Sequence, residues 1–566
     1  APIIISPHDN KTLYFGSQRV WKSVNRGDSW TPISGDLTTN TNPFELPMQD
    51  RVPGIGALYD NGAMSKFATL TAIAESPVQS GILYTGSDDG IIHASEDDGQ
   101  SWTQAAELPG MPPMSFINDI EASSYDNRTV FVAADAHKEG DYTPYIFRST
   151  NGGRSWKNIA GDLPKGVIVW SIKQDPVRSD LLFIGAENGM YFSYNAGENW
   201  IKLNASAPTI SYRDIELHER DHDLIGGTFG RGIYILDDYS PLRYISDLAE
   251  NQSHTIFPVR DAWWYIEQTP LQASGMPSQG SAAYRAPNPP YGATISYYLS
   301  DLPKTPAQQR QSEVKVLEAE GKDIPFPGWE TLQADALEDT PKTLLLIKDA
   351  SGEPVRWLEG EQSRGFHRTT WDLRFPAPDP ISLSIPGFRP PWAGTPQGPL
   401  VAPGMYSVEL YVLNNGKLET QGSVQEFIVK PIPALEGRDF EETFSFHKEL
   451  NDLSREMNSA GSSLGEASNR LRHIEVALVQ TSTLAPELFE QLAALTRQQA
   501  ELITQLYGDR IRRSKDISVE PAIIGRLNQV LYGLSETSLP PTQTHHKNVI
   551  LARQGFEQFK ISLQDF

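Results

Sequence analysis

Short runs of apolar and β-branched residues punctuate the chain from Ile3 to Leu236, and Gly, Asn or Asp follows each of them. The runs are too short for helices, and their alternation with turn residues predicts strands. Five variations of one unit appear in order. The first opens at Ile3-Ile4-Ile5, continues through Leu13-Tyr14-Phe15-Gly16 and reaches Val20-Trp21-Lys22-Ser23. The others open near Leu70, Ile117, Val169 and Tyr212. Four of the five close on the kernel Ser-x-Asn/Asp-x-Gly-x-x-Trp, at residues 23–30, 95–102, 149–156 and 193–200. In such a turn Asn or Asp folds onto the backbone ahead, Gly takes the positive-φ position and Trp plugs the layer below. Repeats of four short strands predict blades of a β-propeller. Residues 36–66 read as a long insertion between the first two blades, and 137–143 as a smaller one in the third.

Beyond Pro241 the pattern changes to Pro, Gly, Ser and Gln, which reads as connector. Alternating runs resume at 293–299, 344–347, 367–373, 406–412 and 425–429, the signature of an immunoglobulin-like β-sandwich. After Pro431-Ile432-Pro433 the period lengthens. Leu450, Leu453, Met457, Ala460, Leu464, Ala467, Leu471, Ile474 and Leu478 step by three and four, a heptad seam. The predicted fold is mainly β. Propeller blades over 1–245, either a closed five-blade ring or part of a larger one, lead through a linker at 246–290. An Ig-like β-sandwich at 291–432 and a C-terminal α-helical hairpin or bundle at 433–566 follow.

Composition narrows the function. The net charge of −23 disfavours nucleic acid and anionic membranes as main partners, because both reward Lys and Arg. No apolar run reaches the ~20 residues of a membrane span. The absence of cysteine excludes disulfides, thiolate metal sites and a Cys nucleophile.

Three further stretches join the four turns. They are Asp135-Ala136-His137 with Pro144-Tyr145, Gly227-Thr228-Phe229-Gly230-Arg231-Gly232, and Gly365-Phe366-His367-Arg368 with Ala402-Pro403-Gly404. Together they resemble secreted bacterial proteins with BNR (Asp-box) repeats, described as sortilin-like or glycosyl-hydrolase-like. The resemblance covers nearly the whole chain and aligns it with the later part of longer members. It implies a secreted, periplasmic or cell-surface location, and an upstream fragment or second chain that completes the propeller. Phe229 stands where such proteins usually carry His. The hydrolase label of that family derives largely from the turn, which is structural.

Candidate chemistry follows from aligning the first strands. Asp119 and Asp214 occupy one slot, which Ala72 and Ser171 fill elsewhere. Paired carboxylates facing a channel are what glycoside hydrolysis needs, and the alternative is that they bond neighbouring blades. Trp170, Arg213, His137, Trp263 and Trp264 are candidate binding residues, with core packing as the competing role for the tryptophans. Asp135, His137 and Asp141 form a weak candidate cation group. No cofactor is implied, and the acidic turns leave room for a structural calcium. A sialidase reading lacks an Arg-Ile-Pro motif and a Tyr/Glu pair. The expectation is a binding or scaffold protein that recognises a protein or glycan through its propeller face. The alternative is a glycoside hydrolase using Asp119 and Asp214.

Overall fold

The computed structural model describes residues 1–47, 51–52, 67–204, 207–251, 254–268, 286–381, 395–482, 485–535 and 537–566. Much of the insertion read at 36–66, and the connector stretch 272–280, lie outside the described residues. The chain divides into two compact units, Ala1–Gln252 and Ser253–Phe566.

The first unit is a series of small antiparallel sheets with strands in sequence order. The first holds β1 (Ile3–Ile5), β2 (Leu13–Gly16), β3 (Val20–Ser23) and β4 (Thr31–Pro32). The second holds β5 (Leu70–Glu75), β6 (Leu83–Ser87), β7 (Ile92–Ser95) and β8 (Thr103–Gln104). The third holds β9 (Phe116–Ala122), β10 (Val130–Ala136), β11 (Asp141–Ser149) and β12 (Lys157–Asn158). The fourth holds β13 (Val169–Gln174), β14 (Leu182–Ala186), β15 (Gly189–Ser193) and β16 (Ile201–Lys202). The fifth, which lacks the turn kernel, holds only β17 (Tyr212–His218), β18 (Asp223–Thr228) and β19 (Ile233–Leu236). A short helix α1 (Ile245–Asn251) follows.

Each core of this unit is shared by two successive sheets. Val130, Val132 and Ala134 of β10 face the second sheet, whereas Phe131 and Ala133 face the fourth. Side chains alternate across a strand, so a strand between two neighbours buries both faces and reads as an unbroken apolar run. Glycine marks the closest approach. A Cβ on Gly86 would lie 2.4 Å from Ile117 Cγ2 of the next sheet.

The turns use one network four times. In the third copy Ser149 Oγ donates to Asn151 Oδ1 (2.9 Å) and accepts from Gly153 N (2.9 Å), while Asn151 Oδ1 also accepts from Ser155 N (3.0 Å). The turn tryptophan then reaches the preceding sheet. Trp102, Trp156 and Trp200 donate Nε1–H to the carbonyls of Ile33, Ala106 and Ile159. Trp30, in the first copy, is exposed and meets Phe15 edge-on at 6.1 Å.

The second unit begins inside the stretch read as linker, because residues at 255–264 join its sheets. One sheet pairs β20 (Thr255–Ile256) with β22 (Ala293–Leu299) and β25 (Gly365–Trp371). The other sets β21 (Ala262–Trp264) parallel to β27 (Lys417–Pro431), followed by β26 (Gly404–Asn414), β23 (Lys342–Asp349) and β24 (Pro354–Glu359). Both contribute to one core around Trp371, Tyr297 and Leu345. Between β22 and β23 lie two helices absent from the sequence reading, α2 (Pro306–Ala319) and α3 (Trp329–Asp335).

The C-terminal helices are α4 (Glu441–Gln480), α5 (Pro486–Tyr507), α6 (Arg510–Arg513), α7 (Ile523–Leu534) and α8 (Gln543–Asp565). The heptad seam is buried from Leu450 to Leu464, where α5, α7 and α8 supply a common core. Farther along α4, Ile474 is exposed, and so are Leu488 and Phe489 at the start of α5. A pair of helices without further neighbours cannot cover both flanks of its seam.

Candidate functional site

The first strand of each sheet from the second onward is interrupted near its start by a β-bulge, where pairing with the second strand skips a residue. A bulge re-aims the extra side chain. The extra residues are Thr71, Asn118, Trp170 and Arg213. Two of them lock the next sheet in place: Thr71 Oγ1 donates to Ile117 O (2.6 Å) and Asn118 Nδ2 to Val169 O (2.7 Å). The other two meet each other. The Arg213 guanidinium lies 3.6 Å from the centroid of the Trp170 ring and 5.3 Å from that of Phe229.

Glu187, just past β14, ties this cluster together. Its Oε2 accepts from Trp170 Nε1 (2.9 Å) and Ser211 Oγ (2.8 Å), and Arg213 Nη2 lies 3.5 Å away. Backbone bonds hold the frame: Glu187 N donates to Ile168 O and Phe229 N to Ser211 O, both at 2.9 Å. His137 also meets the Trp170 ring edge-on, with centroids 5.6 Å apart. His137 Nδ1 pairs with Asp135, a buried carboxylate that also accepts His137 N at 3.1 Å. That contact orients the imidazole and leaves Nε2 as its outward nitrogen. Trp170 is buried, but Phe229 is 72% exposed. The result is an aromatic and guanidinium platform with a carboxylate and an imidazole at its edges.

Three of the sequence candidates, Trp170, Arg213 and His137, thus converge, and Glu187, Ser211 and Phe229 join them. The sequence signal for Glu187 is its place just beyond a strand, three residues after Ile184 in Ile184-Gly185-Ala186-Glu187. Spacing alone does not distinguish it from a surface acid.

The aspartate slot lies one residue past the bulge. Asp119 Oδ1 accepts from Ile120 N (2.9 Å) and Oδ2 from Ile172 N (3.0 Å) of the next sheet, so its carboxylate bridges two sheets. Burial holds the Asp119 carboxyl above the usual carboxylate range, against Lys173 and those backbone donors. Asp214 is exposed. Two residues along, Lys173 Nζ sits between Glu121 (3.4 Å) and Glu216 (3.3 Å). Burial pushes the Glu121 carboxyl up to about 7, despite Lys173.

Trp264 offers no surface for stacking. It is buried in the second unit's core and donates Nε1–H to Val401 O at 2.7 Å. Trp263 is partly exposed, with Lys430 Nζ 4.6 Å over its ring.

Asp141 does not join Asp135 and His137 as a ligand set. Its carboxylate accepts from Tyr145 Oη (2.6 Å) and Thr143 N (3.0 Å). Among the described residues, the metal-sized group is His218, Asp221 and Asp223, at the β17–β18 turn. Two of its oxygens are already engaged, by Arg220 Nη2 (2.7 Å) and by Asp238 N (2.9 Å). The acidic turns considered for calcium use their carboxylates internally: Asp97 bonds Ser95 and Ser101, and Asp89 bonds Ser87 and Thr39.

No family model and no curated protein matches the chain. Solved structures do. An ancestral GH74 enzyme aligns at 17% identity and a TM-score of 0.32, over 53% of this chain and 36% of its own. The GH74 xyloglucanase from Xanthomonas campestris aligns at 12% identity and 0.31, over 74% and 64%. An extracellular domain of a putative hybrid two-component system from B. thetaiotaomicron aligns at 10% and 0.28, over 75% and 43%. The chain spans less than two thirds of the length of each. Likenesses this distant leave function to the site itself. Among the described residues, no helix is long and apolar enough to cross a membrane.

Proposed function

We propose that the chain is a secreted or cell-envelope binding protein that holds a glycan on the platform formed by Trp170, Arg213 and Phe229. The observation that carries this reading is the Arg213 guanidinium between two aromatic rings, one of them open to solvent. Sugars combine an apolar ring face with a rim of hydroxyls. An exposed aromatic flanked by guanidinium, carboxylate and imidazole suits both. A glycan array followed by calorimetry on the best ligand tests it. Phe229→Ala and Arg213→Ala should each weaken binding about tenfold or more. Glycan affinity that survives both substitutions defeats the assignment.

Hydrolysis with Asp119 and Asp214 as the carboxylate pair is the second reading. The raised pKa of Asp119 favours it, and its two backbone donors, which prefer the ionised form, count against it. Asp119→Asn is expected to reduce stability without changing any sugar release.

The architecture that best accommodates the site is an Asp-box β-propeller of the BNR type, followed by an Ig-like sandwich and a helical bundle. In this reading the five sheets are part of a ring that an upstream segment or second chain completes. The unpegged Trp30, and the outward faces of β1 and β19, support it. Ile5 is 64% and Ile233 69% exposed at the two ends of the series.

A further inference from the structure

The second unit contains a cavity of about 270 Å³ that the platform does not involve. One wall is the first part of α4. Thr443, Phe444, His447, Leu450, Asn451 and Ser454 line it. They step by one, three, three, one and three, so they form one helical face about 16 Å long at 1.5 Å per residue. The facing walls are mainly apolar, with Trp264 and Ile266, the strap at 399–403 and Leu531 and Leu534 of α7, and they also include Gln397, Ser535 and Thr537. The volume lies near the lower end of the roughly 300–1,000 Å³ usual for small-molecule sites.

Polar atoms on this face are left over. Thr443 Oγ1, His447 Nε2 and Ser454 Oγ are all buried atoms without a hydrogen-bond partner among the described residues. Thr443 and Ser454 are only 6% and 3% exposed. Native interiors leave few polar groups unpaired, and three around one cavity mark a space meant to be filled. Burial also holds the His447 imidazole below the usual histidine range, so it meets an occupant as a neutral group. Arg374 adds charge. Its Nη1 donates to Gly398 O at 3.0 Å, Asp372 and Glu267 lie near enough to act on its charge, and the residue lines the same space. A cation beside an apolar cavity selects an anionic group on whatever enters.

We propose that this cavity is a binding site for an elongated amphipathic carboxylate. Its carboxylate meets Arg374, its apolar edge lies against Trp264, Phe440, Leu531 and Leu534, and its hydroxyl or carbonyl groups meet Thr443, His447 and Ser454. A plain hydrocarbon would leave the three polar atoms unpaired. A freely soluble sugar would leave the apolar walls wet.

Calorimetry on the full chain with hydroxydodecanoate, dodecanoate and dodecanol tests this. The expected order is hydroxydodecanoate tightest, then dodecanoate, then dodecanol. Arg374→Gln should erase the preference for the acid over the alcohol. Thr443→Val with Ser454→Ala should reduce the preference for the hydroxylated acid about tenfold. Leu534→Trp fills the cavity and should abolish binding, with circular dichroism confirming that the variant is folded. Should Leu534→Trp fail to fold, the Thr443→Val, Ser454→Ala double variant decides alone, because removing two buried, unpartnered hydroxyls leaves the fold intact. No heat with any of the three probes overturns the proposal. So does binding that is indifferent to both Arg374→Gln and the double variant.

Discussion

Glu121 and Asp119 sit two residues apart on one strand and show how position, more than residue type, sets the chemistry of a carboxylate. Asp119 accepts from two backbone N–H groups, whereas Glu121 accepts from one, that of Gln174, and pairs with Lys173 between sheets. Its carboxyl is pushed from an ordinary 4.5 up to about 7. The folded chain therefore holds that proton more tightly than the unfolded chain does. Between those two values the folded state binds more protons, so stability falls as pH rises, and the loss is complete above pH 7. Glu121→Gln mimics the protonated form. It is expected to flatten this slope and, although it gives up the pairing with Lys173, to be more stable than the parent at pH 8. At pH 4 the two should unfold at similar denaturant concentrations. Equal pH profiles for the two chains would show that Glu121 is ionised without strain. The sequence places Asp119 and Asp214 in one slot, with Ser171 in the fourth sheet, but it does not reveal that bulges at Trp170 and Arg213, the residues before Ser171 and Asp214, bring those two side chains together. Register is a property of two paired strands, not of one.

At the scale of elements, the turn kernel is the unit that the sequence states most openly. Ser149 is 1% exposed, and its hydroxyl makes three contacts inside the turn. Ser149→Ala should lower stability by about 2 kcal/mol in urea unfolding, because it leaves buried turn donors unmet. Ser155→Ala, at an exposed position of the same turn, should stay within about 0.5 kcal/mol. The glycines that end the second strands were legible as turn or strand punctuation, but their purpose was not. Gly86 is required because the next sheet's Ile117 packs directly over it, and Gly86→Val should cost about 1–3 kcal/mol or more. Helices α2 and α3 lie outside the elements that hydrophobic periodicity predicts, although a local signal is present. Thr305 and Gln308 form a capping box around Pro306, and the sequence Thr-Pro-x-Gln announces it. Their weak amphipathicity hid them, since α2 buries no residue fully.

For the whole molecule, the series of sheets exposes apolar side chains at both ends, Ile3 and Ile5 on β1 and Ile233 and Ile235 on β19. Trp102, Trp156 and Trp200 each peg a turn to the preceding sheet, and Trp30 has none to reach among the described residues. At the other end Ile233 and Ile235 of β19 point outward, while Tyr234 and Leu236 pack inward. Apolar faces of this kind drive association. The chain by itself is expected to sediment as an oligomer. Ile5→Lys with Ile233→Lys should shift it to monomer without altering its circular dichroism spectrum. A parent chain that is monomeric at all concentrations would show that these faces need no partner.

The amino-acid sequence alone determined the repeat, its turns, the change from strand to helix after residue 433 and the buried part of the α4 seam. Each of these is written in local periodicity and in turn residues whose backbone preferences do not depend on distant contacts. It also named Trp170, Arg213 and His137. Only the tertiary structure decided that these three meet and that Glu187 and Phe229 complete them. It alone showed that Trp264 is core, and that Asp119 joins sheets. Only there does a polar stripe on α4 meet an apolar wall and leave a cavity between. Those outcomes depend on which strands pair, in what register, and which faces end up opposed. Burial and hydrogen-bond satisfaction set them between residues, such as Trp170 and Arg213 or Trp264 and Val401, that lie too far apart in the chain for any local pattern to reach.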